Sequence, residues 1–241
     1  MRPAALSCSR ACDDRAGGYV ATVLRFARRE PSAVLFAAQL GGLLLYPFIE
    51  GRSAGRSLFS VLGIAILGLV VLAVRSSPGW TWLGVLLAIP ASLLLLVQAV
   101  SGADELLPYS SAFEAVLYFY AAGALIAYML ADHEITRDEL FAVGATFTLV
   151  AWAFAYVYTV CQAIAPGSFT AAVDPEAERT WMELLFMSFT TLSSVGIGDV
   201  IPIEPFARAL VMLEQLAGVA YVAMVVSRLI GLLVMRRADA P

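Results

Sequence analysis

The sequence predicts an all-α membrane protein of six transmembrane helices, with a short re-entrant helix and a polar loop between helices five and six. Three observations carry that prediction. The chain of 241 residues is 61% hydrophobic and only 14% charged, with a mean hydropathy of +0.83. Its apolar runs approach the ~20 residues that cross a hydrocarbon core about 30 Å thick. One apolar piece is too short to cross, and a run rich in serine and glycine follows it directly. A soluble fold is excluded on this composition, and nothing supports nucleic-acid binding. Cys8, Cys12 and Cys161 are too few and too badly spaced for a disulfide framework or a zinc site; they read as structural.

Residues 1–31 form a polar segment carrying Arg2, Arg10, Arg15, Arg25, Arg28 and Arg29. It lacks the early apolar core of a cleavable signal peptide and is expected to stay in the cytoplasm. The stretch GYVATVLRFARRE within it reads either as an interfacial helix or as a solvated tail that sets topology. Apolar segments follow at 32–49, 57–74, 80–100, 112–131 and 139–164. The loops between them carry Arg52 and Arg56, Arg75, Asp104 and Glu105, and DHEITRDE. The first four segments make a scaffold over 32–131, and residues 132–138 link it to the fifth. Residues 166–180 are loop-like, with two prolines and four charges. The apolar piece 181–192 comes next, and its 12 residues reach only about 18 Å. Such a helix cannot cross a bilayer and must turn back. Thr180 with Glu183 three residues on is a capping-box pattern marking its start.

The last apolar segment, about 205–235, reaches roughly 46 Å, longer than the membrane is thick, so it tilts or projects. Residues 236–241, with Arg236 and Arg237, form a short tail, and no ligand-binding domain is expected after it. Placing both termini in the cytoplasm puts Arg75, Arg137 and the six N-terminal arginines on one side, and Arg52, Arg56 and Arg179 on the other. This agrees with the positive-inside rule and opens the 181–199 hairpin to the outside.

TLSSVGIGDVIP, residues 191–202, is the least greasy segment of the chain. Non-helical backbone at membrane depth is tolerated only where protein buries it or where it lines a watery cavity. Gly196 and Gly198 flanking Ile197 allow backbone conformations to alternate, which turns successive carbonyl oxygens toward one axis. A short helix aimed C-terminal end first at the same axis adds partial negative charge there.

SFTTLSSVGIGDVIP resembles the pore loop of tetrameric potassium channels, whose usual filter reads threonine, valine, glycine, tyrosine, glycine, aspartate. The resemblance implies a pore domain over 139–235: outer helix, re-entrant pore helix, selectivity-filter loop and inner helix. It implies Ser194, Val195, Gly196, Ile197 and Gly198 as the filter, with K⁺ at Ser194, Val195, Gly196 and Ile197 and with Asp199 at the outer lip. Gly218, 24 positions after Ser194, matches the hinge glycine of the inner helix. ITRDELF and PFARALVMLEQLAGVAYVAMVVSRLIGL also resemble small prokaryotic potassium channel family proteins. With one pore loop per chain a closed ring requires several chains, and the resemblance implies four, a homotetramer in the cell membrane. The function implied is passive, potassium-selective conduction with no cofactor, K⁺ being the permeant ion.

Two departures stand out. The tyrosine of the family is Ile197 here, and the pore-helix positions beside the filter carry Phe186 and Met187, so bracing must come from packing. The alternative that follows is a nonselective cation channel with the same pore. Thr190, Glu204 and Arg208 are near enough in sequence to partner Asp199. Glu214 and Gln215 lie inside the inner helix, and an intramembrane acid is a functional candidate. Glu214 is expected to face the pore helix and bond Thr190 or Ser193, making these three the filter support; the alternative is a plain helix-packing bond. Val222, Val226 and Ile230 share a helical face and make a candidate inner gate.

The fourth segment carries no arginine, and Glu114 is its only charge, so gating through a conventional voltage sensor is not expected. Phe141, Phe147, Trp152, Phe154, Tyr156 and Tyr158 read as helix packing and interface anchors, and His133 as a solvated loop residue. An enzyme is not expected. Gly196-Ile197-Gly198-Asp199 also satisfies the motif of GxGD-type intramembrane aspartyl proteases, but that chemistry needs a second carboxylate sharing a proton. The nearest, Asp132, falls on the opposite membrane face, and Pro202 and Pro205 break the helix such an aspartate would need. A transporter with broken helices would require a matching interruption in the first half. Pro90 and the Gly41-Gly42 pair are not followed by a polar loop there.

Overall fold

In lipid every backbone polar group must find its partner within the chain, so a sequence this apolar folds almost entirely into helices. The computed structural model describes residues 30–49, 68, 81–101, 106–131 and 136–238. In chain order it contains α1 (Pro31–Ile49), α2 (Thr81–Ser101), α3 (Leu107–Leu130), α4 (Arg137–Ile164), β1 (Phe169–Ala171), α5 (Trp181–Leu192), β2 (Val200–Pro202) and α6 (Pro205–Ala238). Among the described residues, α3, α4 and α6 as far as Gly231 are long and apolar enough to cross a membrane, while α1 and α2 hold shorter apolar stretches, Pro31–Tyr46 and Trp82–Gln98. The expected span at 57–74, the arginines before α1, Cys8, Cys12, Asp132 and His133 lie outside the described residues.

Helix α4 is the hub, with α1, α3, α5 and α6 packed around it, while α2 packs on the far side of α3. Small residues make this possible: Ala142, Ala145, Ala151, Ala153 and Ala155 are buried along α4 and let neighbouring backbones approach. At Gly144 a β-carbon would fall 2.7 Å from the Phe36 ring of α1. An aromatic cluster locks the centre. Tyr118 of α3 stacks on Tyr156 at 5.6 Å and meets Trp152 edge-on at 6.0 Å. Trp181, the first residue of α5, meets Trp152 edge-on at 5.5 Å.

Local signals set the ends. Helix α4 begins at Arg137, two residues earlier than expected, because the Thr136 hydroxyl caps it by accepting the Glu139 N–H at 3.2 Å. The buried Asp138 in its first turn accepts both the backbone N–H and the hydroxyl of Ser32, each at 2.9 Å, and so anchors the start of α1.

The structure adds one thing to the all-α expectation. Extended residues on either side of α5 pair as a two-stranded antiparallel ribbon, Phe169↔Pro202, Thr170↔Ile201 and Ala171↔Val200. The Ser168 carbonyl accepts the Ile203 N–H beyond it at 2.8 Å. Pairing satisfies backbone groups that neither flanking helix can reach. It also means that the chain leaves for α5 and returns from the following loop at the same place.

Candidate functional site

The site is built from α5 upward. Its start is fixed by a complete capping box: the Thr180 N–H donates to the Glu183 carboxylate at 2.6 Å and the Glu183 N–H to the Thr180 hydroxyl at 3.3 Å. Arg179, buried, turns its guanidinium onto the carbonyls of Val173, Asp174 and Ala177 and onto Glu183, which closes the preceding loop. The helix buries Leu184, Leu185, Met187, Ser188, Thr191 and Leu192, against α4 and α6. Phe186 is exposed and Met187 buried, so no polar group stands at either position.

At the C-terminal end of α5 the Thr190 carbonyl gathers the chain. It accepts the N–H groups of Val195 at 2.9 Å and Gly196 at 3.0 Å, and the Ser193 hydroxyl at 3.3 Å. Orphan carbonyls at a helix end are thereby satisfied. From there the backbone alternates in hand: φ is +60° at Ser194, +61° at Gly196 and +76° at Gly198, with Val195 and Ile197 between them on the ordinary side. Glycine adopts this hand freely, whereas Ser194 does so at a cost of about 1–2 kcal/mol. Residues 193–199 are all exposed in the single chain, with Val195 at 66% and Ile197 at 61%. The far end is anchored by Val200, buried among Tyr158, Phe169, Leu184 and Val211. The loop is therefore held at its two ends and bare between them. Asp199 is exposed and forms no side-chain bond to Thr190, Glu204 or Arg208; the Arg208 guanidinium instead donates to the Pro202 carbonyl at 3.2 Å.

Helix α6 presents the stripe Ala207, Val211, Glu214, Gly218 and Tyr221 to α4 and α5. Glu214 is fully buried. It does not bond Thr190 or Ser193. Its carboxyl group is hydrogen-bonded to the hydroxyls of Tyr158 in α4 and Ser188 in α5, and the Ser188 hydroxyl also lies 2.8 Å from the Ala151 carbonyl. The reason is rotational: Thr190 turns its hydroxyl back to the Met187 carbonyl at 2.9 Å, while Ser188 shares the buried face of α5 with Leu184 and Leu192. Ser188 and Tyr158 are therefore the site residues that sequence reasoning missed. The available signal was Ser188 standing as the polar member of an otherwise apolar stripe with spacing of four.

Gly218 has a definite structural use. A β-carbon there would sit 2.1 Å from the Leu192 carbonyl oxygen, and that neighbour is backbone. Helix α6 runs unbroken through it. On the other faces Leu216, Val219, Val222, Val226 and Ile230 are exposed. Further along, Tyr221 donates to the Val143 carbonyl at 2.7 Å and Arg228 pairs with Glu139 at 3.2 Å.

Residues 144–235 match the family model Ion_trans_2, described as an ion channel. The match covers most of α4, the ribbon, α5, the alternating loop and α6, less than half of the chain, and it supports a channel rather than an enzyme. No curated protein and no solved structure matches the chain.

Proposed function

We propose that the protein is a potassium-selective channel that conducts K⁺ passively across the cell membrane through a homotetrameric pore, with six spans per chain and both termini cytoplasmic. The observation that carries this reading is the loop 194–198: left-handed φ at every second residue, at the C-terminal end of a capped 12-residue helix, inside the stretch that matches an ion channel. Alternating hand turns successive carbonyls to one side, so Ser194, Val195, Gly196 and Ile197 can offer an ion backbone oxygens. Thr190 and Ser193 hold the start of that ladder, and Asp199 forms its outer lip. The exposure of 193–199 fits a wall completed by other copies. The return of the chain from β1 to β2 supports a re-entrant hairpin. The exposed faces of α6 fit a central position, with Gly218 as hinge and Val222, Val226 and Ile230 as inner gate. No arginine lies within α3, which supports gating by something other than a conventional voltage sensor.

The test is ion flux into proteoliposomes holding the purified chain, with K⁺ and Na⁺ gradients in both directions. Selective K⁺ flux that Gly196→Ala abolishes is the expected result, because alanine resists a φ of +61°. Equal K⁺ and Na⁺ flux would replace the reading by a nonselective cation channel, the outcome that Ile197, which lacks a bracing hydroxyl, would explain. No flux in any lipid would overturn it.

A further inference from the structure

Three helices meet at one carboxyl group. Glu214 of α6 is fully buried, its partners are the hydroxyls of Tyr158 in α4 and Ser188 in α5, and no ion pair among the described residues includes it. One turn further along α6, Gly218 lies against the Leu192 backbone. Ser188 and Leu192 bracket Thr190, whose carbonyl receives the N–H groups of Val195 and Gly196. The inner helix thus grips the short helix on both sides of the residue from which the loop departs.

The hydrogens can be counted. Ser188 has one hydroxyl hydrogen and two oxygens within reach, the Ala151 carbonyl and Glu214. A neutral group at 214 satisfies the whole set: Tyr158 donates to it, it donates to the Ser188 oxygen, and the Ser188 hydrogen goes to Ala151. A carboxylate would compete with Ala151 for the single Ser188 hydrogen. It would also lie buried without a cation, an arrangement proteins avoid.

We propose that Glu214 is a positioning residue that works as a neutral hydrogen-bonding clasp, fixing α5 and the start of the loop to α4 and α6, and not as a fixed charge acting on the permeating ion. The proposal rests on the channel reading above and assigns Glu214 a specific form of action within it. It requires that shape and hydrogen bonding at this position matter and that charge does not.

Three variants of the full chain in proteoliposomes test this. Glu214→Gln keeps a donor and an acceptor in the same place and is expected to retain flux and ion preference close to the parent protein. Glu214→Ala and Ser188→Ala, recovered in the same oligomeric state, are expected to lose flux or ion preference by about tenfold. Glutamine failing as alanine does, in folded protein, would make the charge essential and overturn the proposal. So would an unaffected Glu214→Ala. If the parent protein passes no ion, the channel reading fails while the clasp is still judged by thermal melting. Glutamine should then melt with the parent, and the Glu214→Ala, Ser188→Ala double variant should melt no lower than the worse single variant. Additive shifts would overturn the clasp.

Discussion

Helices α4 and α6 have equal mean hydropathy over their most apolar 18-residue windows, yet 61% of that window is buried in α4 and 22% in α6. Hydropathy does not separate them; neighbours do. Helix α4 is enclosed by α1, α3, α5 and α6, whereas α6 touches α4, α5 and β2 along one stripe and leaves the rest of its apolar surface bare. A helix enclosed by its own chain is constrained by packing all round. A helix with one seated stripe leaves its remaining faces to lipid or to further copies of the chain, and between apolar helices and lipid only packing and polar contacts discriminate.

A large-to-small change on each helix separates the two environments most strongly. Trp152→Ala on α4 opens a hole among Tyr118, Tyr156 and Trp181 and is expected to lower stability by about 3 kcal/mol. Leu216→Ala on the bare side of α6 is expected to leave the melting of the single chain almost unchanged and to weaken the tetramer proposed above, read by size-exclusion mass measurement in detergent. Equal destabilisation of the single chain by both variants would mean that α6 is enclosed after all.

A smaller effect is expected at the seated stripe itself. Gly218→Ala forces a methyl group against the Leu192 carbonyl, an overpacking expected to cost about 1–3 kcal/mol and to displace the C-terminal end of α5, so that the proposed ion flux falls along with melting temperature. Gly231→Ala, on the same helix where a β-carbon meets nothing within 4 Å, is the control and should change neither. If both glycines tolerate alanine equally, the close approach of α6 to α5 does not exist.

The difference between these helices also marks how far the sequence could be read. Elements defined by local chemistry were legible: the Thr180–Glu183 capping box, the ends of α5 at 181 and 192, and glycine where φ is positive at 196 and 198. Ser194 at +60° was not legible, because a serine gives no local sign of that hand. The partner of Glu214 was misassigned because it depends on the relative rotation of three helices, and Ser188 differs from Thr190 by two residues but by most of a half-turn. Gly218 stood out only through the resemblance to potassium channels, and its contact with Leu192 follows from packing between helices. The ribbon escaped notice because two three-residue strands bounded by loops carry no periodic signal.

The smallest expected effect concerns the other end of α6. Arg228 and Glu139 pair at 3.2 Å with side chains 17% and 7% exposed, and Glu139 sits in the first turn of α4 beside Asp138, which holds Ser32 of α1. A pair of this kind, partly screened, contributes on the order of 1 kcal/mol. Glu139→Gln and Arg228→Gln should each lower the melting temperature slightly and by similar amounts, and the double variant should fall no further than either alone. Additive losses would mean that the two side chains act separately. A non-additive result extends the seated stripe from Ala207 to Arg228. Any movement of the far end of α6 must then break a bond to the helix that also carries α1.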